Sequence, residues 1–405
     1  TGSGVCCHRE ALAEPRPGRP AIEVADVFRA YGEAYRQTRA LPGDQLKVMR
    51  AIEACRTVLL GGHEDVCPEC GDKKPAYNSC RDRHCPKCQS LSQAQWLDGR
   101  LQRIIDTHYF HVVFTIPAEL RPIAHVNRKV IFDLLFATVS RTLLELGDDP
   151  KRLGARLGIT AVLHTWTRQL TFHPHLHCIV TGGGLASDGD SWVPCRRFIF
   201  PVNVLGALFR GKFLDGLQRL RRDGSLRYVG EAARFADDHA FKRLLDGLYK
   251  TSWVVYAKKA FAGVKHVFSY LGRYTHRVGI SNQRIQAFDE NGVRFATKDG
   301  KTVTVAPLEF IRRFLLHVLP KGFTKIRHYG LFAPGNVHTK LPQAKRLLVA
   351  PNTPESEQGE KPIVATPWYE LLLRLTGVDP RRCRKCGAAL IRQPLPSARC
   401  YEDTS

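Results

Sequence analysis

The segment FHPHLHCIVTGGG, residues 172–184, is the most informative part of this chain. His175 and His177 flank Leu176 within an apolar run. Because residues two apart on a β-strand point to the same face, both imidazoles are expected to project together from one strand, with the glycines opening space just beyond. Two neutral imidazoles on one face can bind a divalent metal. A strand edge with polar residues facing water fits the segment equally well, because short motifs match often by chance.

The composition of the chain points to a polyanionic partner. Its 405 residues carry a formal net charge of +23, and 43% of them are hydrophobic, which is enough for a sizeable core. A positive charge of this size favours nucleic acid. No run reaches the ~18 apolar residues of a membrane span, and we expect neither a secretory signal nor a membrane partner. The GKT at 300–302 lacks the first glycine of a phosphate-binding loop, so no nucleotide cofactor is expected.

Helical and strand patterns mix along the chain without a regular βαβ rhythm, which predicts an α+β fold. The segment GITAVLHTWTRQLTFHPHLHCIVTGGG is rich in β-branched and aromatic residues and predicts two strands of a hairpin or meander. RIQAFDENGVRFATKDGKTVTVA predicts three short strands, because Asn-Gly and Asp-Gly turns interrupt it. Helices are expected over residues 123–146, 203–222 and 264–277, among others.

A cluster of cysteines between positions 67 and 88 predicts a zinc site. It contains two CPxC knuckles, Cys67/Cys70 and Cys85/Cys88. Four thiolates presented by two tight turns suit tetrahedral zinc. Free thiols or disulfides are the alternative, and the absence of a secretion signal disfavours the disulfides.

Further potential ligands leave the number of zinc ions at one or two. The nearby candidates are Cys80, His84, His63 and Cys55. They could form a second site or exchange places with the first set, and each one singly also fits a buried thiol or a surface imidazole. The pair Cys383/Cys386 is half a site that either takes ligands from elsewhere or has no role. Two neighbouring basic residues, Arg81 and Arg83, would suit DNA contact.

Tyr270 and Tyr274 lie four residues apart on a predicted helix, which places them on one face. An aromatic stripe packed in the core is the ordinary explanation of such a pair. Here the cations Lys265, Arg273 and Arg277 surround it, and cations favour the phenolate form and can hold a phosphate. Tyrosines, a metal and bound phosphate are the parts of DNA transesterification, in which a tyrosine oxygen attacks a backbone phosphate that a metal polarises.

Three segments occur in an order that resembles a known family. NSCRDRHCPKCQ, then HPHLH followed by GGG, then YLGRY resemble the two-tyrosine HUH transposases of rolling-circle bacterial insertion sequences, the IS91-like family. The similarity extends from about Cys55 to about Arg277 and more weakly to about residue 340. It implies an HUH nuclease domain, with an antiparallel palm sheet flanked by helices, preceded by a helical and zinc-binding N-terminal domain.

The resemblance also implies an activity. His175 and His177 would hold Mg²⁺ or Mn²⁺, and Tyr270 and Tyr274 would be the nucleophiles. The substrates would be single-stranded DNA at the element's ends and target DNA, and cleavage would leave a 5′-phosphotyrosine and a free 3′-OH. The protein would act on the nucleoid in the bacterial cytoplasm. A third metal ligand stays open among His164, His173, Asn282 and Gln283; His164 is favoured, because a hairpin could place it beside the histidine strand.

The expected organisation is a flexible N-terminus over 1–20, a helical and zinc-binding domain over 21–98, a catalytic domain over 99–345, and a linker with a basic cysteine-containing tail over 346–405. Three other functions fit parts of the sequence. A plasmid replication initiator or relaxase would use the same chemistry. A non-catalytic zinc-dependent DNA-binding protein would leave the histidines and tyrosines without a role, and a zinc hydrolase would need a carboxylate base near the histidines.

Overall fold

A computed structural model describes residues 20–101, 103–195, 199–259, 279–297, 300–348 and 366–395. The predicted helix over 264–277 lies outside the described residues. So do both candidate nucleophiles and the cations around them, namely Tyr270, Tyr274, Lys265, Arg273 and Arg277.

Helices and antiparallel strands mix along the chain, which confirms the α+β prediction. The helices are α1 (Val24–Gln37), α2 (Gly43–Ala54), α3 (Gln89–Leu101), α4 (Arg121–Val126), α5 (Arg128–Asp148), α6 (Val202–Arg222), α7 (Asp238–Lys250), α8 (Pro307–Leu315), α9 (Lys340–Arg346) and α10 (Trp368–Thr376). The strands are β1 (Gly62–Val66), β2 (Lys73–Tyr77), β3 (Tyr109–Thr115), β4 (Ala155–Trp166), β5 (Phe172–Ala186), β6 (Trp192–Pro194), β7 (Val255–Lys259), β8 (Ile285–Asp289), β9 (Gly292–Ala296), β10 (Thr302–Val305), β11 (Ile326–Gly330) and β12 (Ile391–Leu395). Within these ranges, no helix combines the length and the apolar character needed to cross a membrane.

A six-stranded antiparallel sheet forms the centre of the molecule, in the order β11-β4-β5-β3-β7 with β6 beside β5. Its two longest strands, β4 and β5, form the predicted hairpin. Because β5 has β3 on one side and β4 on the other, the histidine segment lies in the middle of the sheet rather than at its edge. The interpretation as a solvent-facing strand edge is therefore wrong.

One face of this sheet packs against α5 and α6. Leu176, Cys178 and Val180 alternate along β5 and join the same buried core as Phe136 and Phe213 from the two helices. Fully burying a large apolar side chain contributes about 1.5–3 kcal/mol, so this face fixes the register of β5 strongly. The period of two then places the histidines of β5 on the opposite face.

The glycines after the histidines bring neighbouring groups close instead of opening space. A Cβ on Gly182 would lie 2.3 Å from the His108 ring. A Cβ on Gly184 would lie 2.7 Å from the carbonyl oxygen of Arg156 on the neighbouring strand. The expectation of free space beyond the histidines was therefore wrong, because His108 and the paired strand fill it.

The N-terminal helices share a core with a later part of the chain. Phe28 of α1 and Phe314 of α8 meet edge to face with their ring centroids 5.3 Å apart. Phe295 of β9 and Met49 of α2 belong to the same buried cluster. The three-stranded sheet β10-β9-β8 and α8 thus pack with the N-terminal helices, although the sequence groups them with the catalytic domain.

The C-terminal segment returns to the N-terminal zinc region. Strand β12 pairs antiparallel with β1, from Gly62 opposite Leu395 to Val66 opposite Ile391. It completes a sheet in the order β12-β1-β2. Residues 366–395 are therefore a structured part of the N-terminal module, whereas we expected them to belong to a tail. Strand pairing over such a sequence distance leaves no local signature, and the prediction missed it.

Candidate metal centres

Three histidines converge on the open face of the central sheet. His164 of β4 lies directly opposite His175 of β5, and His177 follows two residues later on the same face. One nitrogen from each of the three lies within 4.8 Å of the others. The ring centroids of His164 and His177 are 4.4 Å apart, and those of His175 and His177 are 5.0 Å apart. This arrangement gives a compact donor set of three imidazoles.

Hydrogen bonds prepare two of these rings to bind a metal through Nε2. The Nδ1–H of His175 donates to the carbonyl oxygen of His173 at 2.7 Å, which leaves the Nε2 lone pair available. The Nδ1 of His177 lies 2.8 Å from Nε2 of His111 on β3. If Nε2 of His177 holds a metal, its proton must lie on Nδ1 and be donated to His111.

Burial keeps these imidazoles neutral. Loss of solvent lowers the pKa of His175 to about 4 and that of His111 to about 4. It also holds the pKa of His177 well below its usual range. A neutral imidazole needs no deprotonation before it ligates a metal, so His175 and His177 could bind one at neutral pH.

Trp166 and Lys325 border the cluster. The Trp166 ring stacks on His164 with 4.5 Å between centroids. The Lys325 ammonium lies 5.0 Å from the centroid of the same indole. Burial lowers the pKa of Lys325 to about 7. Trp166 follows His164 by two residues on β4, so the period of two could have placed it on this face, whereas Lys325 comes from a distant segment and left no such signal.

The other candidates for the third ligand are placed elsewhere. His173 accepts a hydrogen bond through Nδ1 from Nη2 of Arg121 at 3.0 Å. The side-chain oxygen of Asn282 accepts from the backbone N–H of Val24 at 3.1 Å, and Gln283 is exposed. His164 is therefore the candidate that the structure brings to His175 and His177.

His111 is a functional candidate that sequence reasoning missed. It lies in the strand HYFHVVFTI, and only the pairing of β3 with β5 brings it to His177. We expect His111→Leu to weaken Mn²⁺ binding by about 10–100-fold, the usual effect of losing a group that orients a metal ligand. His111→Gln keeps an acceptor and should restore part of the affinity.

To measure the affinity, the purified variants are titrated with Mn²⁺, and electron paramagnetic resonance gives the concentration of free Mn²⁺ at each addition. His239→Ala is a matched control, because His239 is exposed on α7 and far along the chain from the cluster. Wild-type affinity in His111→Leu would show that the contact with His177 has no role in metal binding.

A second group of ligands consists of four cysteine thiols around the end of α2. Its members are Cys55, Cys80, Cys85 and Cys88. The Cys88 sulfur lies 3.5 Å from that of Cys55 and 3.6 Å from that of Cys80. Sulfurs at about 2.3 Å from a tetrahedral zinc would be roughly 3.8 Å apart, so the spacing fits zinc and is too long for disulfides.

The structure divides the two CPxC knuckles between different groups, contrary to the expected site of Cys67, Cys70, Cys85 and Cys88. Cys67 and Cys70 lie instead beside Cys383 and Cys386. The strand β2 lies between the two knuckles in the chain, and the knuckles at its two ends therefore join different groups. Of the four further candidates, Cys55 and Cys80 complete the group around Cys85 and Cys88.

His84 and His63 stay outside both groups. His84 is buried, and its Nε2 accepts the backbone N–H of Leu319 at 3.1 Å while its Nδ1 contacts Asp82 at 3.0 Å. Both ring nitrogens are therefore engaged, and the ring holds the cysteine segment against the loop after α8. His63 lies on β1, 3.4 Å from Asp65.

The two arginines of the cysteine segment differ in their surroundings. Arg83 donates to the carbonyl oxygens of Pro320 and Phe323 and so ties the segment to the loop before β11. This structural role explains its position without DNA. Arg81 is exposed and adopts a positive φ of 55°, at the tight turn between Cys80 and Cys85. Its role in DNA contact stays a prediction.

Known families match both halves of the chain. The family "Putative transposase" matches residues 158–340, and the family "Transposase zinc-binding domain" matches residues 27–116. A "Putative transposase y4qJ" of Sinorhizobium fredii is 46% identical over 376 residues, which cover 91% of this chain and 94% of that protein. The "Transposase for insertion sequence element IS801" of Pseudomonas savastanoi is 28% identical over 360 residues, covering 86% and 83%.

No solved structure matches the chain significantly. The similarity to the first relative covers nearly all of both proteins, and the two family matches contain the histidine strand and the first cysteine group respectively. The chain therefore belongs to the IS91 family of insertion-sequence transposases, with a zinc-binding domain in its N-terminal part.

Proposed function

We propose that this transposase nicks and rejoins single-stranded DNA at the ends of its insertion sequence through a 5′-phosphotyrosine, in a rolling-circle type of transposition. The observation that carries the proposal is the cluster of His164, His175 and His177 on the open face of an antiparallel sheet. Such a site belongs to the HUH type of nuclease that the sequence resembles. The protein would work on DNA of the nucleoid in the bacterial cytoplasm.

The three histidines would hold Mn²⁺ or Mg²⁺. Their donor chemistry fits a divalent ion, since all three are imidazoles and two have Nε2 available. A bound ion would polarise a phosphoryl oxygen of the scissile phosphate and orient it. Nitrogen donors suit Mn²⁺ better than the harder, oxygen-seeking Mg²⁺, so we expect stronger activity with Mn²⁺.

Tyr270 and Tyr274 would be the nucleophiles. In the first step a phenolic oxygen loses its proton and bonds to the phosphorus, the bond from phosphorus to the 3′ oxygen breaks, and that oxygen takes up a proton as a free 3′-OH. In the second step a 3′-OH attacks the phosphotyrosine and the tyrosine oxygen leaves. No nucleotide is needed, because the phosphotyrosine retains the energy of the broken bond. Two tyrosines allow one to hold a cleaved end while the other attacks.

Basic side chains near the start of β5 would receive the DNA strand. Arg121 and Arg312 line a groove there together with Phe172, and one acidic residue, Glu231, also lines it. Arg121 also contacts His173, two residues before the cluster. Cations beside an aromatic face suit a single strand, whose phosphates and bases they can bind at once. Lys265, Arg273, Arg277 and Arg81 remain proposed contacts of the same kind.

One zinc ion would be structural, held by Cys55, Cys80, Cys85 and Cys88. The four sulfurs lie within 4.8 Å of one another, which suits tetrahedral zinc, and they lie in the core that α1 and α2 share with α8. Two other functions are less well supported. A non-catalytic DNA-binding protein leaves the three converging histidines without a role. A zinc hydrolase needs a carboxylate base, and the histidine group includes none among the residues that the structure describes.

The test is a covalent adduct. The purified full-length protein is incubated with single-stranded oligonucleotides carrying the element's ends and Mn²⁺, and the products are separated on a denaturing gel. We expect a protein–DNA adduct and a cleaved strand with a free 3′-OH, both abolished by a chelator and much reduced with duplex DNA. Cleavage without any adduct would indicate a hydrolase, and binding without cleavage would indicate a DNA-binding protein; either result contradicts the proposal.

A further inference from the structure

The second cysteine group joins two distant parts of the chain. Cys67 and Cys70 follow β1, and Cys383 and Cys386 precede β12. The sulfurs of Cys67 and Cys386 are 3.4 Å apart, and those of Cys70 and Cys383 are 3.6 Å apart. All four sulfurs lie within 4.8 Å of one another.

The two halves of this group have the same local design. Each is a Cys-x-x-Cys-Gly turn whose glycine has a positive φ, 69° at Gly71 and 81° at Gly387. In each, the glycine N–H donates to the carbonyl oxygen of the first cysteine, at 3.0 Å for Cys67 and 2.9 Å for Cys383. The backbone N–H of Lys385 also points to the Cys383 sulfur at 3.4 Å. Paired turns of this kind present four thiolates to one metal.

The rest of the described structure gives this part of the fold no apolar core. The sheet β12-β1-β2 contributes no residue to any of the three buried apolar clusters, and β12 is mostly exposed. Two ion pairs cross between the halves, Lys385 with Asp72 at 2.7 Å and Arg392 with Asp65 at 3.1 Å. Exposed ion pairs stabilise little. A small sheet without a core usually depends on a metal or on disulfides, and these sulfur distances are too long for disulfides.

We propose that Cys67, Cys70, Cys383 and Cys386 bind a second structural zinc, which joins the C-terminal segment to the N-terminal zinc-binding domain. This site extends beyond the match to the zinc-binding family. That match ends at residue 116 and includes only the turn that contains Cys67 and Cys70. The zinc holds β12 beside β1. It also holds α10 near α3, where the Thr366 hydroxyl donates to Asp98 at 2.7 Å. The C-terminal segment is therefore required to complete the N-terminal domain.

The first readout is the zinc content of the full-length protein, purified under reducing conditions and measured by elemental mass spectrometry. We expect two zinc ions per chain in the wild type and one in Cys383→Ser/Cys386→Ser. Cys70→Ser, which alters the other half of the site, should also give one. Cys386→His keeps a zinc ligand in place and should give two. The control is Cys195→Ser, which lies outside both cysteine groups and should retain two.

The second readout is hydrogen exchange along β1. In the wild type β1 is paired on both sides, so loss of the zinc should release β12 and make the amides of Gly62–Val66 exchange at least tenfold faster. The core amides of α5 should exchange at the wild-type rate, which shows that the variant is folded. Two zinc ions in Cys383→Ser/Cys386→Ser, or one in the wild type, would overturn the proposal. Unchanged protection of β1 in a variant that has lost one zinc would overturn the structural role.

Discussion

The variant His177→Ala should nick single-stranded DNA about a thousandfold more slowly than the wild type. His177 is the central donor of the histidine group, since its ring lies beside those of His164 and His175 and also contacts His111. Removing it takes away one of three proposed metal ligands and the hydrogen bond that orients it. A catalytic metal contributes several kcal/mol to phosphoryl transfer, and about 4 kcal/mol corresponds to a thousandfold change in rate.

The measurement is the rate of adduct formation under single-turnover conditions, together with the affinity for Mn²⁺. His239→Ala is the control and should behave as the wild type, because that histidine is exposed on α7. The double variant Tyr270→Phe/Tyr274→Phe separates the two roles: it should form no adduct and yet bind Mn²⁺ normally. A His177→Ala protein that nicks at the wild-type rate would exclude the histidine group as the catalytic centre.

The sequence predicted the part of the site that depends on local patterns. The period of two puts His175 and His177 on one face, and a hairpin of two β-rich segments puts His164 close to them. The register of the hairpin pairs His164 with His175. This register follows from the core, which buries the apolar residues of both strands on the opposite face. Local residue patterns therefore carried enough information to bring these three residues together.

The rest of the site depends on pairing between distant segments. His111 reaches His177 because β3 lies beside β5, and Lys325 reaches Trp166 from the position just before β11. The order of strands in a sheet is set by the packing of whole elements, and it leaves no periodic signal in either strand. The same limit hid the pairing of β12 with β1, which joins segments more than three hundred residues apart.

The cysteines show a different limit. The spacing of the cysteines in the sequence identified every member of both groups as a possible zinc ligand. It could not show which cysteines share a site. Cys67/Cys70 and Cys85/Cys88 look alike as knuckles, and a zinc ion has no directional preference that would select one partner over another. Only the positions of β2 and of the C-terminal segment decide that the first knuckle joins Cys383 and the second joins Cys55.

Cys85→Ser should unfold α1, α2 and the part of the chain around Cys80–Cys88, an effect much larger than that of an ordinary buried substitution. Cys85 is 1% exposed and belongs to the core formed by Phe28, Met49 and Phe314. Structural zinc contributes about 10–16 kcal/mol of apparent folding free energy in small zinc domains. A domain is normally stable by only ~5–15 kcal/mol. Because the zinc contribution is of the same size, loss of the ion should melt α1, α2 and the cysteine segment.

The matched control is Cys178→Ser, because Cys178 is also fully buried but lies in the core of the central sheet, outside both cysteine groups. Burying one hydroxyl in place of a thiol should cost about 1–3 kcal/mol there, without loss of zinc. Zinc content, circular dichroism and the free energy of unfolding in urea distinguish the two variants. If Cys85→Ser keeps its full zinc content and loses no more stability than Cys178→Ser, the group around Cys85 is only a set of buried thiols. If Cys85→Ser loses zinc and only the N-terminal helices melt, the metal joins the cysteine segment to α1, α2 and α8. The central sheet that carries the histidines then remains folded on its own core.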